Sequence, residues 1–198
     1  MIDKIELIKD INDNDRYCPI MLNGELLEEG NKRKSYNQHI RIFMLSENID
    51  NNSSYLDLGC NTGYIYKELI MLNHVKVTAI EIINSLVKLC KNIEEIEKTG
   101  TIIIHIDIVQ YIHNCIKKNI KFDNVTMLSV WNFDEINKNI NKMLMITKDK
   151  LFLEPTNHEG YDIEMYNKIY IKPFQKKYNA TVLGYTDYQN RPLIMVTK

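Results

Sequence analysis

A carboxylate followed by a glycine-bounded turn stands out in Tyr55-Leu56-Asp57-Leu58-Gly59-Cys60-Asn61-Thr62-Gly63-Tyr64. An apolar strand that runs into such a turn and then opens a helix makes a ligand cradle. Gly59 lets the backbone turn sharply with no side chain in the way. Gly63 permits either close approach of a ligand or close packing of the helix on the strand. The free N–H groups of the loop and the positive end of the helix favour an anionic or polar ligand group. Glu81 ends the next apolar run, 18 residues after Gly63. A carboxylate there can accept hydrogen bonds from both hydroxyls of a ribose. Asp107 closes the third run in His105-Ile106-Asp107-Ile108, where a carboxylate can reach the exocyclic amine of adenine. The fourth run ends in Leu128-Ser129-Val130-Trp131-Asn132. Its rim faces the place where chemistry on such a ligand would occur.

Other residues carry two readings each. His158, in Glu154-Pro155-Thr156-Asn157-His158-Glu159, is a candidate general base because an imidazole titrates near neutral pH, or it is an exposed loop histidine. Trp131 is a candidate wall of the reaction site or a core residue. Cys60 reads as a small filler ahead of a nucleophile. His105, inside an apolar strand, reads as a satisfied core histidine. His74 and His113 have no partners at metal-ligand spacing, and no metal is expected. Lys32-Arg33-Lys34 followed by Tyr36 is a helix start or a phosphate contact.

The elements that must position these groups are short runs rich in Val, Ile and Leu alternating with helical stretches. Strands are predicted at 54–58, 75–81, 101–107, 123–130, 150–154, near 180–187 and at 191–197. Helices are predicted at 62–73, with Ile65, Leu69 and Leu72 on one face, and at 83–98, with Ile83, Leu86, Val87, Cys90 and Ile93 together. Residues 107–118, 133–147 and 161–178 fill the later gaps. This alternation predicts a mostly parallel sheet. The last two strands leave no room for a helix between them and should form a hairpin with one antiparallel strand. Residues 1–49 stand outside the alternation. They are predicted to form an arm, with a small hairpin turning at Asn23-Gly24 and a helix from about 32 to 48 carrying Ile40, Phe43 and Met44.

The 198 residues suit one domain with an N-terminal extension. No apolar run approaches the roughly 20 residues that span a bilayer. Cys18, Cys60, Cys90 and Cys115 show no CxxC pairing, and a reducing, cytoplasmic setting is the simplest expectation. The net charge of −1 hides an asymmetry: residues 1–115 carry 12 Lys/Arg against 17 Asp/Glu, and residues 116–198 carry 13 against 9. The basic half is either a solvated surface or an attraction for an anionic substrate.

Asp57-Leu58-Gly59-Cys60-Asn61-Thr62-Gly63 closely resembles the first motif of the class I (Rossmann-like) S-adenosylmethionine (SAM)-dependent methyltransferases, and Glu81, Asp107 and the strand from Asp123 to Trp131 are similar to their next three motifs in order and spacing. The resemblance covers residues 50–198. It implies a seven-stranded, mostly parallel α/β sheet with helices on both faces and a C-terminal antiparallel hairpin. It also implies SAM as cofactor, held by Asp57, Gly59, Cys60, Asn61, Gly63, Glu81, Ile82, Asp107, Ile108 and Ser129. A dinucleotide is disfavoured, because Gly59-Cys60-Asn61-Thr62-Gly63 lacks the middle glycine that admits a pyrophosphate.

Within that family, Ser129-Val130-Trp131-Asn132 is neither the Asp/Asn-Pro-Pro-Tyr of amino-methylating nucleic-acid enzymes nor the Pro-Cys of cytosine-5 enzymes. Leu153-Glu154-Pro155, Ile171-Lys172-Pro173-Phe174 and Arg191-Pro192-Leu193 are similar to the C-terminal pattern of RNA 5′-phosphate-capping methyltransferases, and the arm is similar to that of tRNA wobble-uridine methyltransferases. The expected activity is methyl transfer to O or N of an acceptor. A small molecule is expected ahead of RNA because the overall charge is not basic. An inactive SAM-binding partner subunit is the third reading.

Overall fold

In a computed structural model, residues 7–12, 14–30, 38–156, 163–186 and 191–198 are described. The arm contributes a hairpin, β1 (Ile20–Leu22) and β2 (Glu25–Glu28). Its turn residues Asn23 and Gly24 both take positive φ, 50° and 78°, the conformation that matches the twist of paired strands. Helix α1 (Gln38–Ser46) follows. Then come β3 (Ser54–Leu58), α2 (Tyr64–Asn73), β4 (Lys76–Glu81), α3 (Asn84–Glu97), β5 (Ile102–His105), α4 (Ile108–Lys118), β6 (Phe122–Leu128), α5 (Phe133–Ile146) and β7 (Thr147–Glu154). The chain closes with α6 (Ile163–Tyr166), α7 (Lys172–Lys177), β8 (Ala180–Tyr185) and β9 (Pro192–Thr197).

Seven strands form one sheet in the order β5-β4-β3-β6-β7-β9-β8. All are parallel except β9, which runs antiparallel to both β7 and β8. The order reverses between β3 and β6, where Tyr55 stands level with Val77 on one side and Asn124 on the other. That reversal opens a crevice at the carboxyl ends of the strands. This is the seven-stranded α/β architecture expected from the sequence, with its antiparallel C-terminal hairpin.

Each face of the sheet buries one apolar layer. On one side Ile112 and Cys115 of α4, Ile136, Ile140 and Met143 of α5 and Phe174 of α7 pack on Leu56, Val125 and Leu151. On the other, Ile42 and Leu45 of α1, Ile65 and Leu69 of α2 and Cys90 of α3 meet Tyr55, Val77, Ala79 and Phe152. A smaller cluster joins the arm to the domain, with Leu7, Ile11 and Ile20 against Leu86, Leu89 and Ile93 of α3. Two helices at the crevice start on side-chain caps. Asp107 Oδ1 accepts from the Gln110 N–H at 3.0 Å, and Asn132 with Glu135 forms a reciprocal capping box. All four cysteines are buried free thiols. Among the described residues, no helix is long and apolar enough to cross a membrane.

The structure corrects several sequence expectations. Helix α1 buries Gln38, Arg41, Ile42 and Leu45, an i, i+3, i+4, i+7 stripe, and leaves Phe43 65% exposed and Ile40 at 36%. Two polar residues thus take the inner face that hydrophobicity assigned to Ile40 and Phe43. In α2, Leu72 points outward at 52% exposure, and Asn73 takes the inner place by donating to Ser46 O and Ile49 O. His105 is exposed, because β5 is the sheet edge; its Nε2 lies 2.9 Å from Ile82 O. Residues 163–177 are not one regular helix. A π-turn at Asn167–Ile171 precedes Pro173, whose missing N–H and ring break the ordinary ladder.

Candidate active site

A cleft of about 570 Å³ opens over the carboxyl ends of the strands. Asp57, Gly59, Cys60, Asn61, Glu81, Ile82, Asp107, Ile108, Ser129 and Trp131 all line it. Gly63 does not. It sits at φ 80° ahead of α2, and a Cβ there would run into the Tyr66 phenol, so its geometry serves packing of helix on strand. Gly59, at φ 86°, is the sharp turn. A Cβ on it would lie 2.7 Å from Val130 Cγ2. Trp131 belongs to the cleft wall and also packs against the core under α5. His158 and the Lys32-Arg33-Lys34 and Tyr36 group lie outside the described residues.

The half of the cleft over β3, β4 and β5 is acidic. Asp57 is buried, and Thr126 Oγ1 donates to its Oδ1 at 3.2 Å. Burial raises its carboxyl from 3.8 to about 7. The Thr126 hydrogen bond opposes that rise, and the Glu81 charge adds to it. Glu81 is tied into the backbone: Oε2 accepts from Asn61 N at 2.9 Å, and Oε1 accepts from Ile82 N and Ile83 N at 2.8 and 3.0 Å. Of the four lone-pair positions on a carboxylate, three are used. One ribose hydroxyl can bond directly, and a second requires release of one backbone N–H. Cys60 is buried, and its thiol is pushed up by hydrogen bonding with Cys90 and by burial, which suits a filler and not a thiolate.

The arm closes this half. Asn61 Nδ2 donates to Asp15 O at 2.7 Å, its Oδ1 accepts from Cys18 N at 3.3 Å, and Thr62 Oγ1 donates to Pro19 O at 2.8 Å. Tyr17 and Cys18 consequently line the cleft. The Asn61 side chain is thus occupied by the arm, and what Asn61 presents to the site is its backbone.

The half over β6, β7 and β9 is built around a charge cluster. Glu154, fully buried at the end of β7, accepts from Arg41 Nη2 and, at 2.7 Å, from Ser129 Oγ through the same oxygen. Ser129 Oγ in turn accepts from Arg41 Nη2 and from Arg191 Nη1, each at 3.0 Å. One donated and two accepted bonds use the whole capacity of a hydroxyl. Ser129 itself holds φ 57°, and its N–H donates to Glu154 O at 2.7 Å. Arg41, Arg191, Gln38 and Thr156 line the cleft here, while Glu154 lies behind them.

Sequence reading missed Arg41, Gln38 and Arg191 as site residues. The available signal was a charged residue on the inner stripe of an otherwise apolar helix and a lone carboxylate ending a buried strand. The basic excess of the second half lies elsewhere. Lys117, Lys118, Lys121, Lys148, Lys150, Lys176, Lys177 and Lys198 fall at the ends of helices, the starts of parallel strands or the end of antiparallel β9. That is the amino-terminal edge of the sheet, opposite the cleft.

No family model and no curated protein matches this chain. Solved structures match it throughout. The bifunctional kinase-methyltransferase WbdD has a TM-score of 0.69 at 16% identity, over 98% of this chain and 46% of that one. SMU.776, a candidate methyltransferase complexed with S-adenosylhomocysteine (SAH), has a TM-score of 0.65 at 15% identity, over 90% and 55%. A methyltransferase from Pyrococcus furiosus has a TM-score of 0.61 at 13% identity, over 81% and 82%. The chain spans about half the length of the first two. Its fold is that of the class I SAM-dependent methyltransferases.

Proposed function

We propose that this protein binds SAM in the cleft and transfers its methyl group to O or N of a small-molecule acceptor. The carrying observation is the convergence of Asp57, Glu81 and Asp107, each at the carboxyl end of its own strand or just past it, on one cleft at the switch point of this fold. The donor set fits the cofactor. Asp57 and the loop backbone suit the amino-acid end, the remaining acceptor position on Glu81 suits a ribose hydroxyl, and Asp107 suits the adenine amine. Ile82 and Ile108 supply apolar faces for the ring. Cys60, Asn61 and Ser129 contribute backbone and wall. SAM supplies a methyl carbon already activated by its sulfonium. The chain's share of the work is to hold an acceptor atom about 3 Å from that carbon, in line and shielded from water. Trp131 walls the side where the acceptor would sit, and His158 is the candidate proton acceptor.

A small molecule is favoured over RNA because most lysines of the second half lie at the edge away from the cleft. The arm, stitched over the cleft by Asn61 and Thr62, is proposed to cap the bound cofactor. A cytoplasmic location accords with four unpaired cysteines.

Calorimetric titration with SAM and SAH tests this reading, with Asp57→Ala and Glu81→Ala as controls. Micromolar binding that is lost in both variants is the expected result. Failure of well-folded protein to bind either ligand overturns the proposal.

A further inference from the structure

We infer that the amino-terminal edge of the sheet, where Lys118, Lys121 and Lys142 surround the exposed Ile120 and Met145, docks this protein on the surface of an anionic phospholipid bilayer. The inference concerns a surface remote from the cleft and does not depend on the methyltransferase reading. Ile120, in the loop between α4 and β6, is 42% exposed, and Met145, in the last turn of α5, is 53% exposed. With Cys115 and Lys121 they line one depression of about 200 Å³. Lys118 lies beside it: burial raises the Cys115 thiol, and the nearby Lys118 charge opposes that rise. Lys142 shares the outer stripe of α5 with Met145, three residues on, and Lys138 continues that stripe.

Among the described residues, Lys117, Lys118, Lys121 and Lys142 make no ion pair. Of the carboxylates at this edge, Asp123 is held by Lys148 at 2.8 Å and Asp50 by Lys150 at 3.1 Å, while Asp149 stands exposed against the unpaired lysines. The carboxyl end of a helix attracts cations, which accounts for Lys117 and Lys118 in α4. It does not account for Lys121, beyond the helix, or for two apolar side chains left in water among the lysines. A bilayer surface takes both kinds of group. Headgroup phosphates attract the ammonium groups, and the apolar side chains reach the acyl boundary. A single-stranded nucleic acid would gain instead from aromatic side chains that stack on bases, and neither Ile120 nor Met145 is aromatic. Docked through this edge, the protein turns its cleft away from the bilayer, because the cleft opens over the carboxyl ends of the strands.

The test is co-sedimentation of the full chain with vesicles of phosphatidylcholine alone and of equimolar phosphatidylcholine and phosphatidylglycerol. Binding to the anionic vesicles alone is expected, and it should weaken as salt is raised, since exposed charges are screened. A lysine near such a surface contributes about fivefold in affinity, so Lys118→Glu with Lys121→Glu should lose about twentyfold or more. Ile120→Ser with Met145→Ser should lose about fivefold and keep its salt dependence. Lys88→Glu with Lys91→Glu makes the same change of net charge on α3, on the opposite face of the sheet, and should bind as the native protein does. A retained thermal transition establishes the folding of each variant. Failure to bind anionic vesicles overturns the inference. Equal loss in the two lysine pairs also overturns it, because net charge and not this edge would then govern binding. So does undiminished vesicle binding by the Ile120 and Met145 variant. If that variant and the native protein instead bind single-stranded polyuridylate equally and more tightly than vesicles, the partner of this edge is a nucleic acid and the lipid inference falls.

Discussion

The side-chain oxygen of Asn61 accepts a hydrogen bond from the Cys18 N–H at 3.3 Å, joining the glycine turn to a residue 43 positions earlier. With the Asn61 Nδ2 to Asp15 bond and the Thr62 hydroxyl to Pro19 bond, the turn holds the arm as a clasp. The same residue that turns its backbone N–H to Glu81 therefore spends its side chain on closing the cleft.

Asn61→Ala removes two of the three clasp bonds. A cost of about 1–3 kcal/mol is expected, since the Cys18 N–H and Asp15 carbonyl lose their partners. Hydrogen exchange should accelerate at residues 14–18 and stay unchanged in β3 and β6. Uniform acceleration across the domain, or none in the arm, would show that the clasp does not act locally.

The raised Asp57 carboxyl gives a signed pH dependence. Between about pH 4 and 7 the native state keeps a proton that the unfolded chain has released, so this group's contribution to stability falls as pH rises through that window. Asp57→Asn cannot ionise. Relative to the native protein, its stability should differ little near pH 4 and gain roughly 1–4 kcal/mol by pH 8. Urea unfolding of both proteins at pH 4, 6 and 8 measures the difference directly. A cationic ligand favours the ionised carboxylate, so SAM affinity should rise with pH through about 7, with proton release visible in buffers of different ionisation enthalpy. A pH-independent difference between the two proteins would mean that Asp57 is ionised throughout.

Much of this arrangement was legible in the chain. The strand–turn–helix at Asp57 to Gly63, the carboxylates at Glu81 and Asp107 and the hairpin at the end are local patterns of period, glycine and charge. Local patterns could not reveal which side of α1 faces inward. Ile40 and Phe43 have the stronger hydrophobic claim, but Arg41 is drawn in by Glu154, which lies 113 residues later. His105 misled for a related reason: an apolar strand reads as central until the sheet order makes it an edge. The basic second half likewise reads as one surface, although topology sends most of its lysines to the edge opposite the cleft.

Gly63 and Gly24 separate two costs that a sequence motif runs together. Both hold left-handed φ, 80° and 78°. A Cβ on Gly24 meets nothing within 4 Å, whereas one on Gly63 meets the Tyr66 ring. Gly24→Ala should cost about 1 kcal/mol from backbone strain alone. Gly63→Ala should cost about 2 kcal/mol or more beyond that, because the buried phenol must move in a packed layer. Equal losses on denaturant unfolding would show that Tyr66 yields freely.

The Arg41–Glu154 pair should be far more sensitive to losing one member than both. Arg41 has 8% side-chain exposure and Glu154 none, so either single truncation strands a buried charge. Arg41→Met and Glu154→Leu are each expected to cost about 3–5 kcal/mol. The double variant should recover a large part of that loss, because two apolar side chains of similar reach remove both desolvation penalties together. Ser129 limits the recovery, since its hydroxyl loses its acceptor Glu154 and one of its two donors. A double-mutant cycle on unfolding free energies reads the coupling. If the pair is coupled as the geometry requires, the interaction energy is large and the double variant is more stable than either single one. Simple additivity would mean that water reaches the pair, and that Arg41 is anchored by Gln38 and Ser129 instead.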